Sequence, residues 1–248
     1  MMVMQKKILD SKSGRVSCLH NHIEGSSSVV ILAHGYLSDK ESRTNTELSK
    51  RLNKAGISTI SFDMYGHGES EGDIERLTIT KAVENVVAVY DYAKSQGYQK
   101  IGLSGSSFTG IVSLIAATKR DFAALSLKCP VFDSKRLWDR RHGKKGIERW
   151  RKKGYLVQFG KKWSYEGYED ASRYKMDEIA KSITTPTLAI HGDKDKTVPI
   201  SHAKAIISHV SDEKKLVVVK GADHFFRNPA HFEQMIRASF EWLTFHLT

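Results

Sequence analysis

The stretch Lys100-Ile101-Gly102-Leu103-Ser104-Gly105-Ser106-Ser107-Phe108-Thr109-Gly110 runs on into Ile111-Val112-Ser113-Leu114-Ile115-Ala116-Ala117. A short strand-forming segment passes through a turn of small residues directly into an apolar helix, and this junction decides the fold. A serine at the apex of such a turn has its hydroxyl lifted above the sheet, provided small residues two positions to either side keep neighbouring backbones apart. Ser107 fits best, with Gly105 before it and Thr109 after it. Ser106 fails because Phe108 would fill the crowded position. Ser104 matches loosely between Gly102 and Ser106, but its use would cut the strand to a stub and place Gly105 and Ser106 in the first helical turn. Alone the pattern is weak, since serine and glycine also populate ordinary turns. The rest of the chain has to supply partners.

Outward from the turn, short β-branched runs alternate with longer segments of helical period, which predicts a mainly parallel sheet flanked by helices, an α/β fold. An initial hairpin is expected from Lys7–Asp10 and Arg15–Asn21, followed by strands at 29–33, 57–62, 100–104, 124–129, 187–191 and 216–219. Apolar residues at Ala82, Val83, Val86, Val87, Tyr90 and Ala93 recur at helical spacing, predicting a helix over 80–95. Asn228-Pro229 reads as the cap and first turn of the last helix, with Phe232, Met235, Ile236 and Phe240 as its buried stripe.

Two loops at the expected C-terminal strand ends carry the missing chemistry, where open α/β sheets build their sites. The first is His191-Gly192-Asp193-Lys194-Asp195-Lys196-Thr197-Val198-Pro199, in which Asp195 is the candidate orienting acid. Asp193 is the alternative, better suited to holding the loop through local backbone hydrogen bonds. The second is Gly221-Ala222-Asp223-His224-Phe225-Phe226, which makes His224 the candidate base. Position in the order Ser, Asp, His selects it from eleven histidines. His209, His231 and His246 fall on helices, while His34 and His191 follow strands and suit structural hydrogen bonds. An acyl-transfer site also requires donors for a developing oxyanion, and the backbone amides of Phe108 and of Tyr36, in Ala33-His34-Gly35-Tyr36, are placed to supply them. The glycine-supported loop Asp63–Ser70 receives no catalytic role.

The segment from Phe132 to Pro186 far exceeds a crossover helix and reads as an inserted lid, so residues 1–131 and 187–248 form the core and 132–186 the lid. It holds Trp138, Trp150 and Trp163, three of four tryptophans, with Tyr155, Phe159, Tyr165 and Tyr168. The three tryptophans are candidate substrate-binding residues in an apolar roof. The formal charge of +11 is concentrated here: between Asp133 and Lys162, twelve Lys and Arg face three acids, a net of +9. A solvated charged face accounts for such a run, and attraction of acyl groups bearing carboxylate or phosphate is the functional alternative.

At 248 residues and 40% hydrophobic content the chain can bury the core of one domain. No run approaches the about 20 apolar residues of a membrane span. Two cysteines, Cys18 and Cys129, cannot make a disulfide framework, which suits a reducing cytoplasm. With the charge gathered in one insertion, no nucleic-acid partner is expected; nothing precludes a homodimer.

Through the His34-Gly35 turn, the Asp63–Ser70 loop, the Ser107 turn, Asp195 with Val198-Pro199, and His224, nearly the whole chain resembles the α/β-hydrolase superfamily. Within it the chain is most similar to small bacterial and archaeal cinnamoyl or feruloyl esterases, and somewhat less to monoglyceride lipases. The resemblance implies an eight-stranded, mostly parallel sheet flanked by helices, a lid inserted after the sixth strand, and no metal or organic cofactor. It implies Ser107 as nucleophile, Asp195 as acid, His224 as base, and Tyr36 and Phe108 as oxyanion donors, acting on a small-molecule acyl ester. Thr109 departs from the family, which usually has glycine there, and adds bulk where helix and strand approach. A thioesterase or peptidase would use the same triad. A non-catalytic protein of this fold, docking a polyanion through the basic insertion, is the alternative that a complete Ser, Asp and His set argues against.

Overall fold

The structure is a computed structural model describing residues 1–158, 160–210 and 213–248. Strands β1 (Met2–Ser11) and β2 (Gly14–Ile23) form a hairpin whose turn is Lys12-Ser13. The chain continues through β3 (Ser28–Ala33), α1 (Arg43–Lys54), β4 (Ser58–Phe62), α2 (Ile79–Ser95), β5 (Lys100–Ser106), α3 (Thr109–Ala117) and β6 (Ala124–Lys128). An insertion follows, made of α4 (Ser134–Lys153), β7 (Tyr155–Gln158), β8 (Lys161–Ser164), α5 (Tyr165–Ala171) and α6 (Met176–Lys181). Then come β9 (Thr187–Gly192), α7 (Ser201–His209), β10 (Lys214–Val219) and α8 (Pro229–Leu247).

Eight strands form one sheet in the order β1-β2-β4-β3-β5-β6-β9-β10, in which only β2 runs against its neighbours. The two-residue period of a strand sorts side chains to the two layers. In β3, Val29, Ile31 and Ala33 join the core beneath α2 and α3, whereas Val30 and Leu32 face the opposite core of α1 and α8. Being buried on both faces, such strands read as unbroken apolar runs. The Asn228 side chain caps α8 as expected, by accepting from the Ala230 amide. Its buried stripe is Phe232, Met235, Ile236, Trp242, Leu243 and Leu247, while Phe240 is only half-buried, a correction of register toward the helix end. The opening strand is also longer than its apolar run, because Met2, Val3 and Met4 pair with β2 at the sheet edge while remaining exposed.

The aromatic side chains of the insertion pack on one another and are continuous with the core beneath α2 and α3. Trp138 meets Trp150 edge-on at 5.4 Å and Trp163 at 5.7 Å, and the Trp150 indole N–H donates to the Trp163 carbonyl at 2.9 Å. The helical run of α4 breaks at Gly143 (φ 60°) and ends on the left-handed Gly154. Asp170 of α5 anchors the insertion to α2 by accepting from the Thr80 amide at 2.9 Å and its hydroxyl at 2.5 Å. Phe159 lies outside the described residues. Among those described, no helix is long and apolar enough to cross a membrane.

Candidate active site

Between β5 and α3 the chain reverses at Ser107, whose φ of 55° lies in the left-handed region that a serine occupies only under constraint. Three hydrogen bonds supply the constraint. The Ser107 amide donates to the Lys128 carbonyl at the end of β6, and its carbonyl accepts from the Gly110 and Val131 amides, each at 2.9 Å. At Gly105 a Cβ would stand 2.5 Å from the Ser113 hydroxyl and 2.8 Å from the Thr109 carbonyl, so only glycine lets α3 pack this closely on β5. The bulk of Thr109 is accommodated because its hydroxyl bonds to backbone: it accepts from the Ser106 amide at 2.7 Å and lies 3.1 Å from the Ala33 carbonyl.

The structure brings the three separated residues together. The Ser107 hydroxyl lies 3.0 Å from His224 Nε2, and His224 Nδ1 lies 2.6 Å from Asp195 Oδ2. A carboxylate can only accept, so Nδ1 carries the proton and Nε2 is free to receive one from serine. Ser104 remains a buried member of β5 with no bond to an imidazole. Asp195 Oδ1 accepts from the Thr197 and Val198 amides at 2.8 Å, and His191 approaches Oδ2 at 3.3 Å while bonding the Val198 carbonyl. Burial pushes the Asp195 carboxyl up, but the hydrogen bonds from His191, His224 and Val198 more than reverse it, holding the group well below the usual carboxylate range. Asp193 instead accepts from the Gly221 amide at 2.6 Å, tying the acid's loop to the histidine's loop across the sheet rather than locally.

Tyr36 and Phe108 line the same cavity as Ser107, and neither backbone amide is committed to a carbonyl among the described residues. The Tyr36 loop is held by His34, expected to make structural hydrogen bonds, and by His67, Lys40 and Asp63, to which sequence reasoning assigned no catalytic role. His67 Nε2 accepts from the Leu37 amide at 3.2 Å, and Lys40 is bound to Asp63 by both its amide and its ammonium. His34 Nδ1 donates to the Gly35 carbonyl at 2.7 Å and Nε2 accepts from the Met64 amide at 3.0 Å, an arrangement open only to the neutral ring.

Burial, reinforced by His67, pushes His34 down to about 4. A histidine lowered in the folded state takes up its proton first in the unfolded chain. Its contribution is therefore complete above about pH 6.5 and drains away as pH falls toward 4, by about 3 kcal/mol at most. Thermal melts between roughly pH 7 and pH 4.5 are expected to show Tm falling with acid, less steeply in His34→Gln. A wild-type Tm that is flat over that window would contradict the neutral ring.

A cavity of about 60 Å³ adjoins Ser107, with Trp138 and Trp163 on its wall. Trp150 does not line the cavity: it is buried edge-on against Trp138, and its N–H donates to the Trp163 carbonyl. Arg141, Gln158 and Thr197 do line it and were not singled out from the sequence. Nothing distinguished Arg141 from eleven other basic residues. Cys129, Asp195 and His224 form the one cluster among the described residues with donor atoms close enough for a metal, all within 4.8 Å. The donors fit one poorly, since Asp195 and His224 are engaged with each other and burial pushes the Cys129 thiol up, away from its thiolate form.

Known proteins are similar to this chain in sequence and in architecture. The chain is 24% identical over 232 residues to a mouse protein, palmitoyl-protein thioesterase ABHD10, mitochondrial, covering 88% of this chain and 75% of that one. It is 26% identical over 212 residues to the human serine hydrolase BPHL, covering 77% of this chain and 72% of that one. The ferulic-acid-bound structure of Est1E from Butyrivibrio proteoclasticus superposes with a TM-score of 0.86 at 25% identity, covering 97% of this chain and 99% of that one. The sequence model described as the prolyl oligopeptidase family matches residues 52–248, a span that opens within α1 and takes in the serine turn, the acid loop, the histidine loop and α8. With most of its length and all three converging residues inside that match, the chain belongs to the prolyl oligopeptidase family of α/β-hydrolase serine hydrolases.

Proposed function

We propose that the protein is a serine carboxylesterase acting on esters of short acyl groups, with the insertion over residues 132–186 serving as its lid. The observation that carries this reading is the continuous hydrogen-bonded line from the Ser107 hydroxyl through His224 to Asp195. His224 takes the hydroxyl proton as Ser107 attacks the acyl carbonyl, and Asp195 fixes the ring's tautomer and stabilises the imidazolium. The amides of Tyr36 and Phe108 receive the oxyanion. Proton return from His224 to the leaving alcohol gives the acyl-serine, and water activated by the same ring then releases the acid.

The size of the cavity supports a short acyl group. About 60 Å³ is far below the roughly 300 to 1,000 Å³ of a typical small-molecule site. Thioesters present the same carbonyl to the same hydroxyl, and one relative bears a thioesterase's name, so a profile of leaving groups decides between them. Purified protein is expected to hydrolyse p-nitrophenyl acetate and butyrate, to be labelled by a fluorophosphonate probe, and to turn over the palmitate ester at least roughly tenfold more slowly in kcat/KM. Equal turnover of palmitate would remove the short-acyl assignment. Absence of both hydrolysis and labelling would remove the esterase.

A further inference from the structure

The cavity beside Ser107 is apolar in most of its wall, yet three of the residues that line it carry buried polar atoms with nothing to bind. The Tyr36 hydroxyl, the Trp163 indole N–H and the Gln158 side-chain oxygen are all buried without a hydrogen-bond partner among the described residues, and all three residues line this one space. Buried polar atoms are normally satisfied, so three orphans around a single cavity mark a place built for a polar guest. Two are donors. The third belongs to a carboxamide that can turn to present its NH₂.

Arg141 adds the charge. Among the described residues it is the only Lys, Arg, Asp or Glu that lines the cavity, and its guanidinium donates to the Thr197 carbonyl at the cavity wall. Other basic residues of the insertion are spent elsewhere: Lys135 on Asp139, Arg136 on Asp177 and Arg151 on Glu148. Arg141 has no ion pair among the described residues, although desolvation pushes its pKa down and Asp195 opposes that shift from across the site. A guanidinium fork together with aromatic O–H and N–H donors matches two acceptor oxygens in one plane. A phosphate would share that chemistry, but the small cavity favours the flat, compact carboxylate.

We infer that Arg141, with the Tyr36 hydroxyl and the Trp163 N–H, forms a subsite for a carboxylate, so that the substrate is the half-ester of a short dicarboxylic acid or an acylated hydroxy acid. The assignment rests on the serine-esterase reading and adds to it the charge of the substrate. Ester cleavage then proceeds unchanged at Ser107, while the carboxylate some bonds away anchors the substrate.

Two matched pairs test it by acid release at constant pH. Monomethyl succinate against methyl butyrate places the carboxylate on the acyl side, and O-acetylglycolate against propyl acetate places it on the alcohol side. In one pair, the kcat/KM ratio of anionic to neutral ester is expected to be roughly 10 to 100. That ratio is expected to fall at least about tenfold in Arg141→Ala, to be partly kept in Arg141→Lys, and to fall several-fold in Tyr36→Phe, which keeps the backbone amide. Ratios near one in both pairs for the wild type, or a ratio unmoved by Arg141→Ala, overturn the subsite while leaving the esterase intact. No hydrolysis of any of the four, with no fluorophosphonate labelling, overturns the esterase and the subsite with it.

Discussion

Alanine in place of Ser107 is expected to lower kcat for p-nitrophenyl butyrate by roughly 10⁶-fold, with KM little changed and fluorophosphonate labelling lost. The size of the effect follows from what the substitution leaves behind. His224 and Asp195 keep their 2.6 Å bond, but the proton acceptor then faces a methyl group and no covalent intermediate can form. On the proposed reading the amides of Tyr36 and Phe108 still polarise a bound carbonyl, so a residual acceleration of about 10³ to 10⁴ over water is expected to survive. The fold should tolerate the change, because Ser107 holds its turn by backbone hydrogen bonds to Lys128, Gly110 and Val131 rather than by its side chain. Activity retained in full by a variant with an unshifted Tm would move the nucleophile to Ser104 or discard the triad.

The three residues that meet at His224 were readable because each is fixed by a short local pattern at a strand end, and an α/β sheet gathers those ends on one rim. Strands β3, β5, β6 and β9 lie within two residues of their expected bounds, since burial on both faces leaves an unbroken apolar run, and the half-exposed edge strand β10 does so through its apolar run at 216–219. The start of β1 was not readable for the converse reason. Its exposed methionines at the sheet edge alternate with nothing buried, and only pairing with β2 makes them a strand. Inside the insertion, composition announced an aromatic core but not which ring would line the cavity beside Ser107. That Trp163 and Trp138 do so while Trp150 does not depends on how α4 turns at Gly143 and how β7 and β8 pair. Arg141 was hidden in the same way: among the insertion's basic side chains it is the one that the kinked helix carries to the cavity.

Removal of the Asp63 carboxylate is expected to cost about 3 to 5 kcal/mol, the usual effect of stranding a buried charge, and to lower Tm by roughly 10 °C. Asp63 is 0% exposed and Lys40 is 5% exposed, with their charged atoms 2.6 Å apart. The carboxylate does more than pair with that ammonium, because its two oxygens also accept from the Lys40 amide at 2.8 Å and the Glu69 amide at 3.0 Å. The loop wraps it so closely that a Cβ on Gly68, at φ +49°, would lie 2.2 Å from Oδ2. In Asp63→Ala all three donors lose this partner, and Lys40 keeps only Glu69, at 2.7 Å on the half-exposed side. In Lys40→Met the carboxylate keeps both amides, so the loss should be smaller by about 1 to 2 kcal/mol. Because Lys40 closes the same loop that presents the Tyr36 amide, Asp63→Ala is also expected to lower kcat well below its melting temperature, up to the roughly 10²-fold cost of a displaced oxyanion donor. A Tm for Asp63→Ala equal to that of wild type, or above that of Lys40→Met, would show that the pair does not hold this loop.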